Sequence, residues 1–201
     1  VAGFILGLAN VTYIVSITST TVANTLFTVS LIPFLTAILA FLIMREKIPQ
    51  STCFAMLVAF VGIFTMFGGS IVEGQLFGNF MALVTAILFS IFVILIRSNR
   101  NIEMVTSLLI SGVVSILIAL MVTQFKLEAS LRDIILCLVL GGILSGIANI
   151  IFTLAARQIP AGEATFYMFI EFALGPFWVW LSLVKYLLIV HYLVVLSSSR
   201  L

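Results

Sequence analysis

Polar residues along this chain come in short clusters, and between the clusters the sequence stays apolar for about 20 residues at a time. Seven such runs can be traced, at about 1–17, 21–44, 52–70, 78–97, 104–124, 133–155 and 162–183. The clusters between them read SITST, REKIPQ, VEGQ, RSNRN, KLEASLRD and ARQIPAGE. A helix needs about 20 apolar residues to cross the hydrocarbon core of a bilayer. Barrel strands would instead alternate over segments of about ten residues, and these runs do not alternate. An open sheet would leave its edge groups unpaired in lipid. The pattern predicts an all-α fold, a polytopic bundle of membrane helices.

Composition sharpens this. Of 201 residues, 63% are hydrophobic and 8% charged, whereas a soluble domain carries roughly 25% charge. Too few polar residues exist to cover a surface facing water, so the bilayer is the expected solvent and first partner. The net charge of +2 is spread as single residues, with no basic patch for nucleic acid. Cys53 and Cys137 lie inside apolar runs and read as small packed hydrophobes, without the spacing of a disulfide or metal site. Arg45, Lys47, Arg97, Arg100 and Arg157 fall on one side of the spans. Lys126 and Arg132 fall on the other, beside Glu73, Glu128 and Asp133. The positive-inside rule places the first set in the cytoplasm, as expected for a multi-pass protein of the cytoplasmic membrane whose first helix enters from inside. The opening stretch, VAGFILGLANVTYIV, has neither the basic start nor the cleavage site of a signal peptide, and reads as a helix entered partway, in a fragment.

The chain also resembles itself. GLAN at 7–10 matches GIAN at 146–149, an offset of 139 at which Tyr13 falls on Phe152. An odd number of spans separates the two, so one runs outward and the other inward. That is an inverted-topology repeat, the common architecture of secondary transporters, which bind substrate near the midplane where the repeats meet.

Two longer stretches carry a family likeness. ANTLFTVSLIPFLTAILAFLIMREKIP (23–49) and IPAGEATFYMFIEFALGPFWVWL (159–181) resemble the helix-and-exit signatures of EamA-type proteins in the drug/metabolite transporter superfamily. In the second stretch Glu171, Pro176, Trp178 and Trp180 fit the pattern, while Phe172 stands where a first proline is usual. The likeness covers about 1–183. It implies a ten-helix transporter built as two inverted five-helix repeats. Residues 1–74 would be the last three helices of the first repeat, and 75–183 the first four of the second. The implied function is alternating-access transport of a small organic metabolite, amino-acid-like or related, with H+ or Na+ as coupling ion. No cofactor is expected, and a homodimer is compatible with the architecture.

After Trp180 the likeness stops. LVKYLLIVHYLVVLSSSRL (183–201) contains no glycine and no acid, where the family has a glycine-rich tenth helix. A single-base frameshift near residue 183 accounts for this tail, since one base restored in a suitable coding string yields a family-like Leu-Gly-Glu and a glycine-rich run. Lys185 and His191 would then carry no function.

Candidate chemistry lies in the few polar residues within spans. A charged carboxylate at a helix centre costs about 2.5–3.5 kcal/mol on insertion scales. The surrounding Leu, Ile and Phe offset this at about 0.3–0.6 kcal/mol each, so Glu171 is tolerated in its run. Its helix face carries Ala164, Tyr167, Met168, Leu174, Gly175 and Trp178, which suits a cavity wall or a helix contact better than lipid. A carboxyl held there could carry a coupled proton, or could be a structural group bonded to a neighbouring helix. Thr21, Asn24, Thr25, Thr28 and Thr36 form one polar stripe, and Gly142, Ser145, Gly146, Asn149 and Thr153 another. Each stripe could line a pathway or form a packing seam. Asn10 and Asn149, matched across the repeat, are the better pathway candidates, with Tyr13. Pro33 and Pro176 are expected helix kinks. Glu46, between Arg45 and Lys47, reads as a solvated cluster that fixes topology. Glu163 reads as an acid in a helix first turn, favoured by the helix dipole. Neither HExxH nor GxSxG nor a P-loop occurs, which disfavours a membrane-embedded enzyme and direct ATP drive. A shortened membrane protein that does not transport is the remaining alternative.

Overall fold

The computed structural model describes residues 1–46, 49–67, 75–122, 124 and 130–170. All the regular structure among them is helical. Val1–Phe166 forms one compact unit and Tyr167–Leu201 a second. In the second unit, the Ile170 amide donates to the Tyr167 carbonyl at 3.1 Å.

The first unit is a set of antiparallel rods whose ends are marked by residues that stop a helix. Helix α1 (Ala2–Ser19) ends where Thr20 turns extended. Thr21 then caps α2 (Val22–Val29), its hydroxyl accepting the Asn24 amide at 3.1 Å. The same span continues as α3 (Ile32–Leu39) and a π-helical segment, Ala40–Met44. Helix α4 (Gln50–Phe67) returns, followed by α5 (Leu76–Ser98) and α6 (Thr106–Val122). A capping box between Ser130 and Asp133 opens α7 (Leu131–Cys137). It runs through a second π-helical segment, Leu138–Ser145, into α8 (Gly146–Ala156). A short α9 (Ala161–Phe166) follows.

Among the described residues, four rods are long and apolar enough to cross a membrane: Ala2–Ser19, Val22–Met44, Leu76–Ser98 and Leu131–Ala156. Gln50–Gly62 and Thr106–Val122 are apolar but shorter. The protein is therefore an all-α chain with the character of a membrane protein. Its many exposed leucines, isoleucines and phenylalanines are what a surface facing lipid requires.

Helix α5 is the hub, packing against α1, α2, α3, α8 and α9. In its most apolar window 44% of residues are buried, against none in that of Leu131–Ala156. Two small cores flank it. One joins Leu6, Phe92, Ile96, Ala156 and Ala164, and the other Ala40, Val93, Ile94 and Ala161. Aromatic pairs tie outer rods on: Phe34 meets Phe60 edge-on at 5.4 Å, and Phe89 meets Phe152 at 5.8 Å.

One contact could have been anticipated and was not. Gly3 and Gly7 on α1 face Ser107, Ser111 and Ser115 on α6. A Cβ at Gly7 would lie 2.7 Å from Val114 Cγ1 and 3.0 Å from the Ser111 carbonyl oxygen. The Ser115 hydroxyl donates to the Gly7 carbonyl at 3.3 Å. Small residues spaced by four on both partners let two membrane helices approach backbone to backbone. The cysteines need correction. Cys53 and Cys137 are free and exposed, not packed; a thiol is apolar enough to face lipid.

Candidate functional site

The span Val22–Met44 is interrupted near its middle. Pro33 has no amide proton, so the Val29 carbonyl loses its usual partner. Helix α2 ends at Val29 and α3 starts at Ile32, with Ser30 and Leu31 between them both αR and buried Pro33 in the first turn of α3. At the break the Leu31 amide moves to the Thr28 carbonyl, 3.1 Å. The Ser30 hydroxyl then donates to the Phe27 carbonyl at 2.6 Å. From α5, the Ser90 hydroxyl donates to the Ala86 carbonyl of its own helix at 2.7 Å and lies 3.3 Å from the Ile32 carbonyl. A threonine in a helix often donates to the carbonyl four residues back. Thr36 does not do so to Ile32. It is fully buried, and its hydroxyl has no hydrogen-bond partner among the described residues. Thr153 on α8 is in the same condition. Both α3 and α8 pack on α5 and α9.

The other hydroxyls of the first stripe are engaged. The single Ser16 proton goes to the Gly78 carbonyl at 2.8 Å, so Thr25 donates to Ser16 Oγ, also 2.8 Å. Helix α5 approaches this closely because residue 78 is glycine; a Cβ there would meet the Ser19 backbone carbon at 2.7 Å. Thr12 and Thr85 pair at 2.8 Å. Nearer the chain turn, the Thr20 hydroxyl sits 2.6 Å from Gln75 Oε1 and accepts the Asn24 side-chain amide at 3.1 Å. Gln75 Oε1 also accepts the Thr21 amide at 2.9 Å. Thr25 thus belongs to a seam joining α1, α2 and α5. Thr28 donates to the Asn24 carbonyl at 2.9 Å.

The repeat-matched asparagines stand in different surroundings. Asn10 is exposed on α1, whereas Asn149 is half-buried on α8 and donates to the Ser145 carbonyl at 2.8 Å. Tyr13 is half-buried on α1. No described residue lies within 4 Å of a Cβ at Gly142 or Gly146, so the second stripe is open where α1's glycines are tightly packed. Tyr167 is exposed in the second unit. Glu171, Pro176 and Trp178 lie outside the described residues, as does the tail with Lys185 and His191.

Most of the described charges gather at one end of the first unit, with Arg132 and Asp133 apart from them at the start of α7. The chain leaves the π-helical segment through Arg45, left-handed at φ 55° and ψ 25°. The Arg45 amide donates to the Phe41 carbonyl at 3.2 Å and the Glu46 amide to the Ala40 carbonyl at 3.3 Å. This stop turns Glu46 inward. Its Oε1 accepts Arg97 Nε at 2.8 Å, and its Oε2 accepts the Ala161 amide at 3.2 Å. Arg97 Nη1 continues to the Arg157 carbonyl at 2.8 Å. Arg157 in turn donates from Nε and Nη2 to the Arg100 carbonyl, 2.9 and 2.6 Å. Glu46 is therefore a structural bridge, not the freely solvated group its neighbours in sequence suggest. The start of α1 lines a cleft with Asn99 and Glu103 at this same end, while α8 finishes here at Arg157.

Among the described residues, every charged side chain stands at or near a helix end, and no group of acids, histidines and cysteines could hold a metal ion. Compared with known proteins, the chain gives no significant match to a family model, a curated protein or a solved structure.

Proposed function

We propose that this chain works as a secondary transporter, moving a small organic metabolite, amino-acid-like or of similar size and polarity, across the cytoplasmic membrane by alternating access. The observation that carries the reading is the pair of buried, unpartnered hydroxyls at Thr36 and Thr153. An unsatisfied buried hydroxyl costs about 1–3 kcal/mol, and in lipid nothing outside the protein can satisfy it. Two of them, on helices that flank the same central rod, suit a path where a passing polar solute supplies the missing partner. The interrupted span Val22–Met44 supports this, because discontinuous helices form binding sites in transporters. So does the likeness of 23–49 and 159–181 to the EamA-type signatures. In this reading the arginine-rich end faces the cytoplasm. Within the first unit the path candidates are Asn10 and Tyr13 on α1 and Asn149 on α8, and Tyr167, Glu171 and Trp178 keep only the roles the resemblance implies. Glu171 is then the carboxylate available for coupling to H+, with Na+ the other coupling ion to test.

The test is counterflow in proteoliposomes. Vesicles loaded with each of the common amino acids and small organic acids are diluted into the labelled solute. The reading expects accumulation above empty liposomes for one class, lowered by T36V and by T153V. No accumulation of any solute by folded protein would refute it. One observation favours a second reading, a membrane protein that transports nothing alone: Leu131–Ser145 is exposed throughout, a rod whose neighbours must be supplied.

A further inference from the structure

We propose that Glu46 is the clasp that holds the basic end of the first unit shut, and that its release from Arg97 and from the start of α9 opens that end. The inference rests on the transport reading and adds the group that closes one side. A single carboxylate spends its two oxygens on two different elements. Oε1 holds Arg97 on α5 and Oε2 holds the first amide of α9. Arg97 extends the chain of bonds to the carbonyl that closes α8. Two side chains thus join four elements.

The charges suit their places. Arg97 points at the carbonyl end of α8 and Glu46 at the amide end of α9, each the sign those ends favour. The position also suits a reversible contact. The Arg97 and Glu46 side chains remain 12% and 20% exposed. They border a cleft of about 370 Å³ lined by Ile43, Met44, Ser98 and Arg100 as well. Both charges can therefore regain water when the contact breaks, which a fully buried pair cannot do without a large desolvation term. Beneath them lies the small core of Ala40, Val93, Ile94 and Ala161, with Met44, Phe89 and Phe152 packed against it. The other ion pair at this end, Arg157 to Glu103 at 3.8 Å with Glu103 67% exposed, adds little. At the far end, α1, α2 and α5 are joined by neutral hydrogen bonds around Thr20 and Gln75. A charged clasp at one end and neutral bonds at the other allow the two ends to open under different conditions.

The experiment measures access to the core under the clasp. The full chain carries C53A, C137A and A161C. A membrane-impermeant thiol reagent is added to inside-out vesicles or to intact spheroplasts, which present opposite faces. Loss of a charge-assisted bond shifts a closed–open balance by about tenfold or more. E46Q and R97Q are each expected to speed A161C modification by about that factor from the basic side only, with R97K changing it less. Unchanged rates in both E46Q and R97Q overturn the proposal. Equal acceleration from both faces also overturns it, because it reports general loosening. The two readings fail separately. A protein that carries solute yet labels indifferently to E46Q and R97Q loses the clasp alone. One that labels as expected yet moves no solute loses the transport reading.

Discussion

Gly7 and Gly146 occupy the same place in GLAN and GIAN, yet an added methyl should act on them in opposite directions. At Gly7 the new Cβ would lie 2.7 Å from Val114 Cγ1, 2.8 Å from Val114 Cβ and 3.0 Å from the Ser111 carbonyl oxygen. Helix α6 would have to retreat, stretching the 3.3 Å bond from Ser115 to the Gly7 carbonyl. Overpacking of this kind costs about 1–3 kcal/mol. The gain in helix propensity from glycine to alanine returns about 1 kcal/mol. G7A should therefore destabilise by up to about 2 kcal/mol. At Gly146 no described atom lies within 4 Å of the new Cβ. Only the propensity gain remains, and G146A should stabilise by up to about 1 kcal/mol. The assay is reversible unfolding of the full chain in mixed micelles, followed by far-UV circular dichroism as denaturing detergent is titrated in. Shifts of the same sign, agreeing to within about 0.5 kcal/mol, would show that the two glycines share one environment and that the α1–α6 seam is misplaced.

Two further substitutions probe the seam and the helix stop. S16A removes both the acceptor for Thr25 and the donor to the Gly78 carbonyl; the same unfolding assay should show a loss of about 1–3 kcal/mol. R45G relieves a left-handed residue that carries a side chain and should stabilise by about 1 kcal/mol; a neutral or negative shift would refute the stop.

Much of the fold was legible because lipid leaves a chain few options. Apolar runs at 21–44 and 78–97 became Val22–Met44 and Leu76–Ser98, since backbone groups at that depth must pair within their own segment. The π-helical segments at 40–44 and 138–145 left no compositional trace, because a change of hydrogen-bond register needs no special residue. Glu46 was misread for a different reason. Its partners Arg97 and Ala161 lie 51 and 115 residues away, and nothing local shows that the ends of α3, α5, α8 and α9 converge. The Gly3–Gly7 seam, by contrast, was visible as small residues four apart, facing the serines of 107–115. Of the stripe threonines, sequence could not separate Thr25, engaged by Ser16, from Thr36, which is not. That difference depends on α1, whose Ser16 reaches Thr25, and not on anything local to the two threonines.

The central claim, that one mid-span position is reached in turn from each side of the membrane, is tested most directly at Thr36. In a C53A, C137A chain, T36C is exposed to an impermeant thiol reagent from one face at a time. The account predicts modification from either face, with E46Q speeding the reaction from the basic face and slowing it from the other. A cysteine reached from neither face, or from one face whatever the state of the clasp, would contradict it.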